Sequence, residues 1–259
     1  MENMKPIDTF KRVEDKYRLT PRQAAEFLTK IREHVVPDVY FRYSIHSIYY
    51  DTEQCDLAVA AMEHPEYKCK LRMRGYNIVK DSDPVFLETK KKYGNIVYKK
   101  RFALPCRNGV DYMEYGIPHQ DTSNTAKEID YMMKKDNLQA KVLISYDREC
   151  YAGIEESDVR ITFDTNIRYR LDDLDDLNDH GTEKKLNDGW VMLEVKAMDR
   201  YPMWLVRILS EMNLQRTSFS KYTTIYRENF EALSVTGKLR YSAIQPEWQK
   251  ETRLCSLPY

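Results

Sequence analysis

The sequence predicts an α+β protein: an antiparallel sheet or barrel of eight strands with a few helices. Three observations predict it: eight segments alternate apolar and polar residues with period two, only four carry helical spacing, and charged residues recur two apart in several strands. In chain order, a strand over 11–19 leads into Thr20-Pro21, an N-cap and first-turn proline for a helix through about His34, with Ala24, Phe27, Leu28 and Ile31 on one stripe. A strand over 44–50 and a helix near 53–63 follow, then strands over 67–77, 84–92 and 95–104, the last two joined by Gly94-Asn95. A helix over 124–136 precedes strands at 141–151, 158–170 and 189–197; a helix over 202–213 begins at Pro202 and turns Trp204, Leu205, Ile208 and Leu209 inward. The stretch 171–188, LDDLDDLNDHGTEKKLND, is too polar for a core and reads as a solvated excursion of a hairpin. One domain over 1–236 and a tail over 237–259, rich in short polar and proline-containing pieces, complete the division.

Composition narrows the function classes. The 259 residues are 42% hydrophobic, enough to fill a core, and 41 Lys and Arg balance 41 Asp and Glu. A net charge of zero argues against a protein that coats nucleic acid, so any anion-binding surface is a local concentration of cations. Cys55, Cys69, Cys106, Cys150 and Cys255 are odd in number and include no CxxC pair, which fits neither a disulfide framework nor a zinc site and favours a reducing cytosol. No apolar run reaches a membrane span, and MENMKPIDTFKR lacks a signal-peptide core, so a cytoplasmic protein is expected. Neither a Walker loop nor GxGxxG is present. His34, His46, His64, His119 and His180 show no metal-ligand spacing; the tyrosines, Tyr49, Tyr50, Tyr131 and Tyr169 among them, fit packing better than base stacking, and Cys69 and Cys150 read as small apolar strand residues.

Charge in the strands carries the functional reading. Glu14 and Lys16, Arg72 and Arg74, Glu88 and Lys90, Lys99 and Arg101, and Glu194 and Lys196 are each two apart, so each pair lies on one face of its strand. A solvated sheet face mixes in Thr, Ser, Gln and Asn, whereas these five pairs are made only of Glu, Lys and Arg. If the sheet closes, they line a lumen, and cations buried together require a counter-charge. A chain of phosphates with a divalent cation meets both needs, because arginine forks and lysine ammoniums bind phosphate while carboxylates hold Mg2+ or Mn2+.

The series EDKY, YYDT, LRMRGY, FLETKKK, KKRF, SYDR, RITFD, LEVK and SFSKY, spread over roughly residues 8–230, resembles the VTC domain, the polyphosphate polymerase domain of the vacuolar transporter chaperone complex and its free-standing bacterial relatives. The resemblance implies a triphosphate tunnel metalloenzyme, an eight-stranded antiparallel barrel around a basic tunnel with helices outside. It further implies transfer of the terminal phosphoryl group of ATP to a growing polyphosphate chain, with Mn2+ or Mg2+ and a pyrophosphate primer. It places Lys16, Arg72, Arg74, Lys90, Lys99, Arg101, Arg148 and Lys221 on the phosphates, Tyr146 and Ser220 near them, and Glu194 on the metal, with Glu14 and Glu88 as further metal candidates. Lys196, Arg160 and Lys100 are additional candidate substrate contacts; Lys99 is preferred over Lys100 because it shares parity with Arg101. Tunnel enzymes of the CYTH branch open with Glu-x-Glu-x-Lys, whereas this chain reads Arg12-Val13-Glu14-Asp15-Lys16. The lost carboxylate favours transfer to a phosphate acceptor over hydrolysis. A tunnel triphosphatase and a non-catalytic polyphosphate-binding module stand as the alternatives. Family polymerases in eukaryotes work beside membrane partners, so a separate membrane protein is a conceivable partner and nucleic acid is not.

Overall fold

The computed structural model describes residues 12–63, 66–94, 96–186 and 189–229. Its strands are β1 (Arg12–Leu19), β2 (Val35–Asp51), β3 (Tyr67–Tyr76), β4 (Pro84–Tyr93), β5 (Ile96–Pro105), β6 (Gln139–Gly153), β7 (Arg160–Arg170), β8 (Lys184–Lys185) and β9 (Val191–Met198). Its helices are α1 (Pro21–Ile31), α2 (Asp56–Glu63), α3 (Cys106–Tyr115), α4 (Asn124–Asp136), α5 (Met203–Glu211) and α6 (Lys221–Asn229). All strand pairs are antiparallel, in the order β1-β9-β7-β6-β2-β3-β4-β5, with β8 on β7.

The sheet is strongly curled. Between β1 and β4 lie six steps of that order, about 29 Å in a flat sheet at about 4.8 Å per step. Yet Lys16 of β1 donates to the Phe219 carbonyl at 3.4 Å while Lys70 of β3 donates to the adjacent Ser220 hydroxyl at 2.8 Å. Charges of Glu14 and Lys16 also reach Lys90 of β4. The outcome is a barrel-like tunnel that is not fully closed, since no ladder joins β1 to β5 among the described residues.

Alternation sorts the faces. Outward go Tyr17, Leu19, Ile161, Phe163, Leu193 and Val195, covered by Phe27 and Ile31 of α1 and Leu205 of α5. Leu71, Met73, Val85 and Leu87 pack with Val110 of α3 and Ile129 of α4. Thr20 caps α1 as expected, in a capping box with Gln23.

Three departures from the sequence reading have local causes. Helices α3 and α6 were not anticipated: α3 follows β5 without a break, and α6 starts after Ser220, whose hydroxyl accepts from the Thr223 N–H. Strand β2 begins nine residues early, because Val35–Pro37 pair with Tyr151–Gly153 before an irregular stretch that ends at Arg42. The polar excursion is anchored, not merely solvated: Arg170, 4% exposed, donates to the carbonyls of Asp172, Asp173, Asp176 and Asn178 and to Glu183, which lets Leu177 enter the core at 1% exposure. The expected tail over 237–259, with Cys255, lies outside the described residues, as do His64 and Asn95. The cysteines at 55, 69, 106 and 150 are free and buried, and burial raises the thiols of Cys69 and Cys150 to about 11 and about 12, in keeping with inert packing.

Candidate active site

The concave face collects the charges that strand parity predicted. Register aligns them: Glu14 sits opposite Lys196 and Lys16 opposite Glu194, Arg72 opposite Glu88, Lys70 opposite Lys90, Glu88 opposite Arg101, and Lys90 opposite Lys99.

Three clusters result. Buried Glu88 takes Arg72 at 2.6 Å, Lys99 at 2.9 Å and Arg101 at 3.8 Å. Burial would raise its pKa, but Arg72, Arg74 and Lys99 outweigh that and pull it to about 2. With three cations already around it, Glu88 serves as their counter-ion. In the second cluster Arg148 forks onto Asp164 at 2.6 and 2.9 Å, Lys221 reaches the same carboxylate at 2.6 Å, and both cations lie over the Tyr146 ring. Burial again works against the Asp164 anion and is overcome by Lys221 and Arg148, which hold its pKa below the usual value. Arg74 bridges the clusters through neutral partners only, Ser47 Oγ at 3.1 Å and Tyr146 Oη at 3.4 Å.

The third cluster is the metal candidate. Lys196 meets Glu194 at 2.9 Å and Glu14 at 3.7 Å, and Glu14 also meets Lys16 at 3.5 Å. Burial of Glu194 is outweighed chiefly by Lys196, with Lys16 and Arg148 adding to it, so its carboxyl is held well below the usual range. Two carboxylates converging on one ammonium present oxygens to one point. Among the described residues no three His, Cys, Asp or Glu side chains gather into a metal site. A hard divalent cation fits there with one or two carboxylates provided substrate phosphates complete its shell; Glu194 is ringed by Lys196, Lys16 and Arg148 much as Glu88 is by its own three cations, but it has a second carboxylate, Glu14, beside it and Glu88 has none among the described residues. Arg12 shares their strand face but sits exposed at the start of β1.

Two of the remaining candidates lie apart. Lys100 is a correction: its parity turns it to the outer face, where it pairs with Glu128 of α4 at 2.6 Å. Arg160 lies at the beginning of β7, opposite Lys196 but half exposed and bound to Asp38 at 2.9 Å, at the rim. Ser220 does lie in the tunnel, holding Lys70.

Sequence reasoning missed Lys70, Asp164 and Tyr49. Lys70 is two residues before Arg72, and Asp164 ends the RITFD motif, so both signals were visible. Tyr49 fits packing by its sequence pattern and does stack on Tyr222, yet its hydroxyl also accepts from Arg72 at 3.0 Å. Burial would raise the Tyr49 pKa, but Arg72, Arg74 and Lys70 pull it to about 7. Lys70 is lowered to about 8, first by burial and then, against the effect of Tyr49, by Lys16, Lys90 and Arg72. A bound polyanion favours the ammonium and the neutral phenol, so binding takes up protons. Tripolyphosphate affinity measured by calorimetry without metal is expected to be full near pH 6.5 and to fall as pH rises through about 8. The ligand's own ionisation works the other way, and a flat or rising profile would contradict this assignment.

Comparison with known proteins agrees with this geometry. The model of the VTC domain matches residues 11–229. The chain belongs to the VTC-domain family. A putative adenylyl cyclase from Hippeastrum, described as having a dominant triphosphatase activity, shares the fold at TM-score 0.51 and 14% identity, covering 84% of this chain and 95% of that one. Putative adenylate cyclases from Bacillus halodurans (TM-score 0.48, 10% identity, 85% and 100% coverage) and Vibrio parahaemolyticus (0.43, 14%, 83% and 97%) also match. No curated protein sequence matches the chain. The VTC domain here therefore has the triphosphate tunnel fold. No helix among its described residues is long and apolar enough to cross a membrane.

Proposed function

We propose that this VTC-domain protein is a polyphosphate polymerase that transfers the terminal phosphoryl group of ATP to the end of an inorganic polyphosphate chain and releases ADP. One observation supports it above the rest: among the described residues, Lys16, Lys70, Arg72, Arg74, Lys90, Lys99, Arg101, Arg148, Lys196 and Lys221 on one concave wall are set against Glu14, Glu88, Asp164 and Glu194. Such an excess of positive charge demands a polyanionic guest.

Phosphoryl transfer asks for alignment and charge neutralisation more than for covalent chemistry. Arg72 and Arg74, set side by side on β3, would hold donor phosphates, while Lys16, Lys70, Lys90 and Lys99 would guide the acceptor chain in line with them. Arg148 and Lys221, oriented by Asp164, would neutralise charge that grows on the bridging oxygen as ADP leaves. Glu14 and Glu194 would hold Mn2+ or Mg2+, which would supply charge neutralisation to the phosphates. An ionised phosphate acceptor needs no general base. The four described histidines lie elsewhere: His34 on Trp204, His46 against Ser145, His119 between Phe102 and Tyr112, and His180 on Asp176.

Incubation with ATP and Mn2+, with and without pyrophosphate, tests the reading. Long chains and ADP are expected; orthophosphate without chains would assign a triphosphatase, and tight binding without turnover a binding module. Glu194→Gln is expected to remove the dependence of rate on metal concentration while leaving metal-free tripolyphosphate binding in place.

A further inference from the structure

The hairpin of β4 and β5 carries apolar and basic residues that the tunnel chemistry does not use. Tyr93, Ile96, Val97 and Tyr98 are 64%, 56%, 48% and 57% exposed. Tyr93 lies directly opposite Ile96, so with Tyr98 they share the outer face, while Val97 lies on the other. Strand β5 ends the sheet order, and α4 covers its outer face farther along, where Lys100 meets Glu128. The tip is therefore bare beyond α4.

Around it basic residues predominate, with Glu66, whose carbonyl accepts from the Gly94 N–H, beside the turn. Residues 89–101 contain Lys90, Lys91, Lys92, Lys99, Lys100 and Arg101 and no acid. Lys99 and Arg101 are committed to Glu88, and Lys91 and Lys100 to Glu128. Lys92, opposite Lys68 on the neighbouring strand, has no ion pair with an acid among the described residues, and neither does Lys68.

We propose that this hairpin tip docks on the surface of an anionic lipid bilayer. Tyr93 and Tyr98 would sit at headgroup level, Ile96 and Val97 in the acyl boundary, and Lys68 and Lys92 against lipid phosphates. Neither signal suffices alone, since a small apolar tip anchors weakly and exposed lysines are screened by salt, but together they meet the two-signal requirement of stable peripheral binding. A second copy of the chain is a poorer occupant because apposed tips would bring their lysines together. The inference stands on the hairpin alone, independent of the reaction in the tunnel.

Co-sedimentation of the full chain with phosphatidylglycerol–phosphatidylcholine vesicles tests it, in the presence of excess tripolyphosphate so that tunnel cations are occupied. Binding is expected to anionic vesicles and not to phosphatidylcholine alone, and to fall roughly tenfold or more in I96S/Y98S and in K68E/K92E. I96S/Y98S lies on the outer face, so polymerisation in solution provides its control for folding; Lys68 and Lys92 continue the rows of Lys70 and Lys90, so folding of K68E/K92E is checked by its urea midpoint instead. Failure of the wild type to sediment with anionic vesicles, or undiminished sedimentation of I96S/Y98S, overturns the proposal. A change of oligomeric state in I96S/Y98S without vesicle binding by the wild type would assign the tip to self-association and overturn it equally.

Discussion

Asp164→Ala is expected to be the most destabilising single change in the tunnel, at roughly 3–5 kcal/mol, read as a lower midpoint in urea unfolding. Asp164 is 1% exposed and is the shared counter-ion of Arg148 and Lys221, both within 2.6 Å. Removing it leaves Lys221 with no carboxylate in ion-pair distance among the described residues and Arg148 with Glu194 alone, at 3.5 Å, and it cuts the tie between α6 and β7. The deficit should shrink when tripolyphosphate is added, because the ligand supplies the missing negative charge. The pH dependence has a definite sign. The Asp164 pKa is held below its ordinary value, so its contribution is present above the unfolded carboxyl range and is lost as pH falls below it. An unfolding midpoint within experimental scatter of the wild type would mean that the pair is not the anchor described here.

Arg74→Ala separates function from stability in the opposite way. The Arg74 guanidinium is 7% exposed and rests on Ser47 and Tyr146, two neutral hydroxyls, with no carboxylate in ion-pair distance among the described residues. Its loss orphans no charge, and folding stability is expected to stay within about 1 kcal/mol of the wild type. Turnover is expected to fall by about 10²–10³, the usual effect of removing one preorganised donor from a transition state that develops charge. Arg72→Ala is the informative partner. It strips Glu88 of its 2.6 Å contact and should lose stability as well as rate. Equal unfolding midpoints for the two variants would refute the division of roles.

Much of this site was legible because a strand's period of two is simple. Once Glu14 and Lys16, Arg72 and Arg74, and Glu194 and Lys196 fall on shared faces, curling the sheet brings them together without further information. The same rule separates Lys99, on Glu88 inside, from Lys100, on Glu128 outside. What stayed hidden depends on breaks in that period and on long-range contact. At Asn166, with φ of +48°, the inward parity of β7 switches: Thr162 and Asp164 precede it, and Ile167 and Tyr169 follow on the opposite count. Helix α6 is short and polar, and what fixes it is contact with distant strands: Tyr222 on Asp51 at 2.7 Å and Lys221 on Asp164. Local pattern cannot announce such a helix.

The gap between β1 and β5 has a mechanical meaning. A hoop fastened all the way round by backbone could widen only by tearing a ladder. Here the segment 216–220 spans the gap, pinned to β1 by backbone through Tyr17–Arg216 and the Thr217 N–H on the Lys16 carbonyl but held to β3 by the Lys70 side chain, so that side of the bore can shift by turning a rotamer. Such a collar can close on anions of different girth.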